Sequence, residues 1–421
     1  MKGKIRFIGN FVLITLLLCG LYFYAMFQGE FVSWFLFYGY LPIYIYQIGV
    51  LIYPMGGWQV TRDLPQAVIR AGDRVTITVK VKRSIPFPLY YCILEEVFPQ
   101  TMNKIDSQFD KFNYLNEPEH VVVKRHMKKV RFPWFRRVIH VTYTIDQVPR
   151  GEHELRTIRI RTGDLFGFIK KEQLFHVENK LTAYPSYRPI QLNEQVMSGD
   201  QGAHSNQSFS FKNSNMVSGI REYVSGDKYS WIDWKQTARN NKMMTKEFEH
   251  ERSTDAFVIL DSCTYEQINL LAFEASVEIA LSFITELVKQ GSEVDLLTVG
   301  DVSVPFSINH SSGNIADMQL HLARIEPTKA RPFATQLAEE MMGVNRRSFV
   351  LIITTHLDQP FLTSIKQIQQ RTNRILILFI QSTARITAEE HQLIVELESG
   401  HTTVCLLTEK ELVQSPIEVS L

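Results

Sequence analysis

Two long apolar runs at the amino terminus limit this chain more than any other feature. Residues 7–27 are apolar apart from Gly9, Asn10, Thr15 and Gly20. As a helix they extend roughly 30 Å, the thickness of a bilayer's hydrocarbon core. Gln28, Gly29 and Glu30 make a short polar break, after which residues 31–53 are again almost wholly apolar, with Pro42, Gln47 and several tyrosines among them. Backbone amides find no water in hydrocarbon, so a run of this length crossing it must be helical. The pattern predicts a two-helix transmembrane hairpin over residues 1–55, with Pro42 accommodated as a kink. A secretory leader fits less well, because the first run is too long and no small-residue cleavage pattern follows it. Leu18 is likewise too bulky for the position before Cys19 in a lipoprotein cleavage site. Lys2, Lys4 and Arg6 precede the hairpin and Arg62, Arg70 and Arg74 follow it, while its turn has no Lys or Arg. Cations collect on cytoplasmic flanks. The expectation is a multi-pass protein of the cell membrane, in contact with bilayer lipid, with both termini cytoplasmic.

The remaining chain is long enough for two further domains with real cores. A formal net charge of +1 excludes a dedicated nucleic-acid binder. Cys19, Cys92, Cys263 and Cys405 lie far apart without a C-x-x-C, so neither a zinc site nor a disulfide framework is indicated, and a reducing compartment fits. Over residues 56–190 the pattern is extended. Val75, Ile77, Val79 and Val81 alternate with Thr76, Thr78 and Lys80, and residues 138–145 and 155–161 repeat the period of two. Strands at this spacing predict a β-sandwich. Within it Lys124, Arg125, Lys128, Lys129, Arg131, Arg136 and Arg137 surround Phe132-Pro133-Trp134-Phe135. One reading is a hairpin with solvated charges. The other is a membrane-surface contact through Lys128, Lys129, Arg131, Trp134, Arg136 and Arg137, each near-surface charge contributing about 1 kcal/mol on anionic headgroups.

Residues 191–215 are rich in Ser, Asn, Gln and Gly and read as a linker or loop. His204-Ser205 lies there without an acidic third member or a Gly-x-Ser-x-Gly elbow, so no catalytic triad is expected. Over residues 253–421 the rhythm becomes strand, helix, strand, helix. Apolar strand signals at 256–260, 294–299, 348–354, 375–380 and 402–407, with helical periodicity over 273–289, predict a Rossmann-type α/β domain with a mostly parallel sheet. Sites in such sheets sit at the carboxyl ends of the strands, which directs attention to Asp261-Ser262-Cys263-Thr264-Tyr265. Cys263 is either a reactive thiol with His356 as neighbour or an ordinary buried cysteine. The chain has no H-E-x-x-H, Walker loop or paired G-x-G-x-x-G.

Between the extended and alternating regions lies a block, residues 216–252, that mixes charges of both signs with two of the five tryptophans. Ser225-Gly226-Asp227 has turn composition. Ser230 and Asp233 have capping-box spacing and predict a helix running to Arg239, closed by Asn240-Asn241, with Trp231, Trp234, Lys235 and Ala238 on one face. A strand is expected over 244–248. Asp227, Asp233, Lys235 and Arg239 are either a polar cluster for a ligand or partner, or the self-paired charges of a capped helix whose tryptophans fill an interface.

The order G-I-R-E-Y, S-G-D, I-D-W-K-x-x-A-R and K-E-F-E-x-E-R in this block, followed by I-L-D at 259–261, closely resembles an uncharacterised bacterial family, the domain of unknown function fifty-eight. Arg150-Gly151 and Gly163-Asp164-Leu165-Phe166-Gly167-Phe168 resemble its upstream motifs, with Leu165 in place of a proline, and Ser230 and Trp231 stand where the family commonly shows two arginines. The resemblance implies a membrane anchor, a von Willebrand A-like α/β domain, and companionship with a MoxR-type AAA+ ATPase and a transglutaminase-like membrane protein. It marks Arg221, Gly226, Asp227, Asp233, Trp234, Lys235 and Arg239 as the partner-facing signature. Cation-binding von Willebrand A-like domains carry Asp-x-Ser-x-Ser at the strand end, whereas this chain has Asp261, Cys263 and Tyr265. A thiol is a soft ligand, tyrosine is too large for a serine's place, and Thr354-Thr355-His356 lacks a later acidic residue, so magnesium and other cofactors are not expected despite Ser262 and Thr264. The expected function is a membrane-anchored adaptor and not an enzyme. The alternative is a divalent-metal-dependent receptor or enzyme using Asp261 with Asp227 or Asp233.

Overall fold

The computed structural model describes residues 2–193, 216–224, 231–240, 242–249, 256–308, 314–329, 331–341, 349–372, 375–400 and 402–420. The chain divides into two compact units, Met1–Asp106 with Val122–Ala183, and Ser107–Val121 with Tyr184–Leu421.

The first unit opens with helices α1 (Lys2–Gln28) and α2 (Phe31–Ile52), which turn about Gly29 at φ 62°. Both are long and apolar enough to cross a membrane. Leu16, Phe23, Phe27, Phe31, Phe35 and Ile45 all face outward. So much exposed hydrocarbon on two adjacent helices is unlike the helix of a soluble core, which buries its apolar side.

Eight strands follow in this unit: β1 (Gln59–Asp63), β2 (Val68–Arg70), β3 (Val75–Lys82), β4 (Tyr91–Val97), β5 (Met127–Arg131), β6 (Val138–Ile145), β7 (Gly151–Gly163) and β8 (Lys170–Tyr184). They form a three-stranded sheet, β1-β3-β6, and a five-stranded sheet, β2-β8-β7-β4-β5. The period of two does what it predicts: Val75, Ile77, Val79 and Val81 are buried with Ile139, Val141, Tyr143 and Ile145 opposite them. Leu94, Leu155, Ile158, Ile160 and Leu181 of the other sheet share the same apolar cluster. One ion pair is sealed inside. Arg62 on β1 meets Glu96 on β4 at 2.6 Å, gives further hydrogen bonds to the Leu155 and Val177 carbonyls, and the Tyr143 hydroxyl donates to Glu96 at 2.6 Å. Arg62, counted above among the orienting surface charges, is therefore buried, because strand alternation turns it inward.

The second unit contains β9 (Ile190–Asn193), β10 (Met216–Glu222), α3 (Trp234–Asn240), β11 (Met244–Glu249), β12 (Ala256–Asp261), α4 (Leu270–Lys289), β13 (Val294–Val299), β14 (Val304–Ile308), α5 (Asn314–Arg324), α6 (Phe333–Glu340), β15 (Phe349–Thr354), α7 (Gln359–Gln369), β16 (Ile375–Ile380), α8 (Ala388–Ser399), β17 (Thr403–Leu407), α9 (Glu409–Val413) and β18 (Ile417–Ser420). Its six-stranded sheet runs β14-β13-β12-β15-β16-β17, parallel except for the antiparallel edge strand β14. Every residue of β15 and β16 is buried, as expected of strands covered on both faces. Asn269 starts α4 by accepting from the Leu271 and Ala272 amides.

Two expectations need correction. Residues 191–193 are not linker: they belong to β9, whose backbone pairs in parallel with β18 from Ile190–Ile417 to Asn193–Ser420. The segment Ser107–Val121, read as part of the extended region, belongs to the second unit. Its Phe112 and Leu115 are fully buried, and its Lys111 approaches Glu278 of α4 at 3.4 Å. Glu278 also pairs with Arg188 at 2.8 Å, so one buried carboxylate holds two buried cations. The Arg188 guanidinium lies 4.7 Å from the Phe109 ring and donates to the Leu412 and Gln414 carbonyls. This network fastens the excursion to α4, β9 and the chain's end.

Candidate functional site

β12 lies between β13 and β15, and all three end on the same side because they are parallel. Asp261, the last residue of β12, is 2% exposed. One carboxylate oxygen accepts from the Cys263 amide at 2.9 Å; the other accepts from the Tyr265 hydroxyl at 2.7 Å and the Thr354 hydroxyl at 2.8 Å. Burial pushes the Asp261 carboxyl above its ordinary range, and these three donors, with the Cys263 thiol, only partly offset it. Tyr265 thus sets a phenolic oxygen directly against the carboxylate.

The neighbouring oxygens are also engaged. Ser262 donates to the Val299 carbonyl at 2.8 Å. Gly300 lies so close that a Cβ there would sit 2.5 Å from the Ser262 hydroxyl and 3.0 Å from that of Thr328, which explains glycine at this strand end. Cys263 is buried, its sulfur 3.8 Å from the Val299 and Arg331 carbonyls, and burial with the nearby Asp261 charge pushes its thiol up to about 12. That is the chemistry of an inert core cysteine and not of a nucleophile. His356 pairs with Glu390 at 3.2 Å through Nδ1 and lies with its ring 4.5 Å from that of Tyr265. The Glu390 hydrogen bond holds this imidazole above its ordinary range despite partial burial. Glu390 feels burial first, which raises it, but hydrogen bonds from His356 and Thr387 together with the His356 charge bring it below the usual range. At the next strand end Ser382 donates to Glu409, and Gln381 accepts from Asn269 at 3.2 Å. Among the described residues no group of three or more His, Cys, Asp or Glu side chains is placed to hold a metal ion.

The signature block is built differently. β10 and β11 form an antiparallel pair, with α3 in the connection and Ile232 bridged to Thr245. Asp233 is the N-cap: its carboxylate accepts from the Lys235 and Gln236 amides at 3.0 and 3.1 Å. Thr237 donates to the Asp233 carbonyl at 2.8 Å and accepts from the Met244 amide at 3.0 Å, tying α3 to β11. Among the described residues the helix starts at Trp234, because Ile232 just before it is held extended by its bridge. Trp231 precedes the helix and does not share its face. Trp234 is 67% exposed, with Ile220, Val224 and Met243 also exposed nearby in sequence. Lys235 and Arg239 are exposed and make no ion pair among the described residues, while Arg221 donates to the Glu222 carbonyl at 3.2 Å and Lys242 pairs with Glu222. Asp233 is spent on its own helix and is not among the groups bonded to Asp261. Gly226, Asp227, Ser230, His204 and Ser205 lie outside the described residues.

On the first unit, Lys128, Lys129 and Arg131 project outward from β5, and Arg136, Arg137, Phe132, Trp134 and Phe135 are exposed beyond it. Sequence reasoning missed Arg83, which is buried and donates to the Phe87 and Trp134 carbonyls at 2.8 Å each and to that of Arg136, fixing this loop from beneath. A lone arginine after an alternating strand gave no sign of that role.

The class so defined is a pair of apolar amino-terminal helices ahead of a sheet-rich α/β body, with a sealed strand-end carboxylate and an exposed tryptophan-bearing block. A family model described as "Protein of unknown function DUF58" matches residues 219–404. The uncharacterized protein YeaD of Bacillus subtilis (strain 168) is 31% identical over 352 residues, covering 83% of each chain. The chain belongs to this DUF58 family. Among solved structures, the CARDB domain of a Pyrococcus furiosus protein aligns with a TM-score of 0.19 at 9% identity, over 31% of this chain and 90% of that one. The sporulation control protein Spo0M of Bacillus subtilis aligns at 0.15 and 13%, over 31% and 51%. Likeness that slight carries no argument about this chain.

Proposed function

We propose that this protein is a membrane-anchored adaptor: α1 and α2 cross the bilayer with both termini in the cytoplasm, and the signature block is the docking face for a protein partner. On this reading the two antiparallel sheets are a β-sandwich and the six-stranded sheet is a von Willebrand A-like domain working without a metal or other cofactor. The partner class that the family resemblance implies is a MoxR-type AAA+ ATPase, with a transglutaminase-like membrane protein as a further companion.

The observation that carries the reading is the exposure of Trp234 on a short, well-capped helix that also displays Lys235 and Arg239. Tryptophan and arginine are the side chains that most often anchor protein interfaces, and a rigid element presents them at low entropic cost. The sealed Asp261 carboxylate supports the same conclusion, since it offers a substrate no open acid or base.

The test is recovery of partners from native membranes with the tagged full chain, comparing wild type with Trp234→Ala and Lys235→Ala. A hot-spot truncation worth about 2 kcal/mol raises the dissociation constant roughly 30-fold, and recovery falls with it. Undiminished ATPase recovery by a variant that melts like wild type would count against the block. In parallel, millimolar magnesium or manganese leaves the melting of the wild-type chain unchanged, because a ligand of the folded state must stabilise it by mass action; a rise would favour the metal-dependent reading.

A further inference from the structure

The base of the helical hairpin is not free of the first unit's β-strands. Tyr46 stacks on Phe87 with ring centroids 6.0 Å apart, and Tyr53 does so at 5.2 Å. A Cβ on Gly49 would lie 2.7 Å from the Phe87 ring, so the glycine lets an edge of that ring close on α2. The Tyr53 hydroxyl donates to the Ile85 carbonyl at 2.7 Å, and Lys171 donates to the Tyr53 carbonyl at 2.6 Å. Ile169 is buried with Ile14, Val50 and Leu51. At the helical rise, Ile14 lies about 22 Å from the turn at Gly29 and Val50 about 32 Å. The contacts through Tyr46, Gly49, Val50 and Tyr53 therefore fall around the level, about 30 Å from the turn, where a hydrocarbon slab gives way to headgroups, with Ile14 about 8 Å to the hydrocarbon side of it.

Each of the two segments held there continues into exposed aromatic residues. Beyond Phe87, Tyr90 meets Phe132 and Trp134 edge-on at 5.6 and 6.2 Å, and Leu89 bridges to Trp134. Trp134 is 56% exposed and Phe135 63%, although Trp134 adopts a left-handed φ of 47° and Arg83 clamps its carbonyl from below. Just before Ile169, Asp164 folds the second loop by accepting from the Ile169 and Phe166 amides at 2.7 and 3.3 Å, with Gly167 at φ 77°. That loop leaves Leu165, Phe166 and Phe168 about half exposed. Two fixed loops that display tryptophan and phenylalanine at the level of the interface, with Lys128, Lys129, Arg131, Arg136 and Arg137 exposed around one of them, match the chemistry of an anionic leaflet.

We propose that the first unit rests on the membrane it is anchored in, with the loops at 132–135 and 165–168 inserted among anionic headgroups on the cytoplasmic side of the hairpin. The proposal depends on the hairpin spanning the bilayer, and the experiment separates the two. The full chain with Cys19→Ser is reconstituted into phosphatidylcholine vesicles, with and without phosphatidylglycerol. An environment-sensitive dye is attached in turn through Phe135→Cys, Phe166→Cys, Phe35→Cys in the hairpin, and Arg74→Cys. Residue 74 immediately precedes β3, about 25 Å from the strand's hairpin end. Dyes at 135 and 166 shift to the blue and lose emission to a nitroxide lipid labelled near the headgroup, the dye at 35 loses emission to a deep nitroxide, and the dye at 74 responds to neither. Phosphatidylglycerol deepens the effect at 135. If 135 and 166 behave like 74 while 35 is quenched, the hairpin stands and the loop insertion is wrong. If 35 is not quenched, both readings fall.

Discussion

Replacing Tyr265 with phenylalanine tests whether hydroxyl donors hold the buried Asp261. The change deletes a hydrogen bond of 2.7 Å to a carboxylate that is 2% exposed, and leaves the Cys263 amide and Thr354 hydroxyl in place. The ring against His356 keeps its volume, so no cavity opens. A hydrogen bond to a charged group contributes about 1.5–3 kcal/mol, and with two donors remaining about 2 kcal/mol is lost. For a unit of this size that lowers the melting midpoint by about 4–8 °C. Sign matters as well as size. Burial holds the Asp261 carboxyl above its ordinary range. Ionising it therefore costs stability as pH rises from the unfolded carboxylate's value through the folded one. The lost hydroxyl is missed most when the carboxylate is charged, so the Tyr265→Phe penalty grows with pH across that window. Calorimetry of the detergent-solubilised full chain, following the second unit's transition from acidic to neutral pH, reads both effects. A midpoint equal to wild type, or a penalty that does not change with pH, would refute the argument that these hydroxyls seal the carboxylate.

Other perturbations report on other parts of the molecule. Glu278→Ala strands the buried Arg188 and Lys111, and removing one member of a buried charge network costs about 3–5 kcal/mol, so the second unit's melting transition drops sharply or disappears while the first unit's is unmoved. The His356–Glu390 pair contributes in two pH windows. His356 is raised, so its share is present below its unfolded value and lost as pH rises through its folded value. Glu390 is lowered, so its share is present above its unfolded value and lost as pH falls through its folded value. The wild-type advantage over His356→Gln, followed by melting across the pH range, therefore peaks between these limits; an advantage that grows in alkali would contradict the pairing.

How far these elements were legible depended on whether their causes were local. Val75 to Val81 announced a half-buried strand, and the unbroken apolar run of β15 a strand covered on both faces, because each pattern is set by its own backbone period. The Asp261 strand end was readable for the same reason, being the polar close of an apolar run. The helix start was misplaced because the spacing from Ser230 to Asp233 is local while the Ile232–Thr245 bridge that decides it is not. The Ser107–Val121 excursion has no period at all, and the residue that donates to its Leu115 carbonyl, Asn269, is 154 positions away. Tyr265 was legible as a bulky residue just past the strand end, but its hydroxyl's return to Asp261 depends on a turn that composition does not specify. The loop at 165–168 was noticed only as a motif; its aromatic exposure follows from Ile169 being drawn to the hairpin.

The most direct measurement places a photo-crosslinking benzoylphenylalanine at position 234 of the full chain in native membranes. Val395 on α8 is the control, since it is 66% exposed against 67% for Trp234. Irradiation at 234 is predicted to yield a discrete adduct, identified by mass spectrometry as an AAA+ ATPase, that is absent at 395. No adduct at 234, or the same adducts at both positions, would contradict the docking role of the signature block.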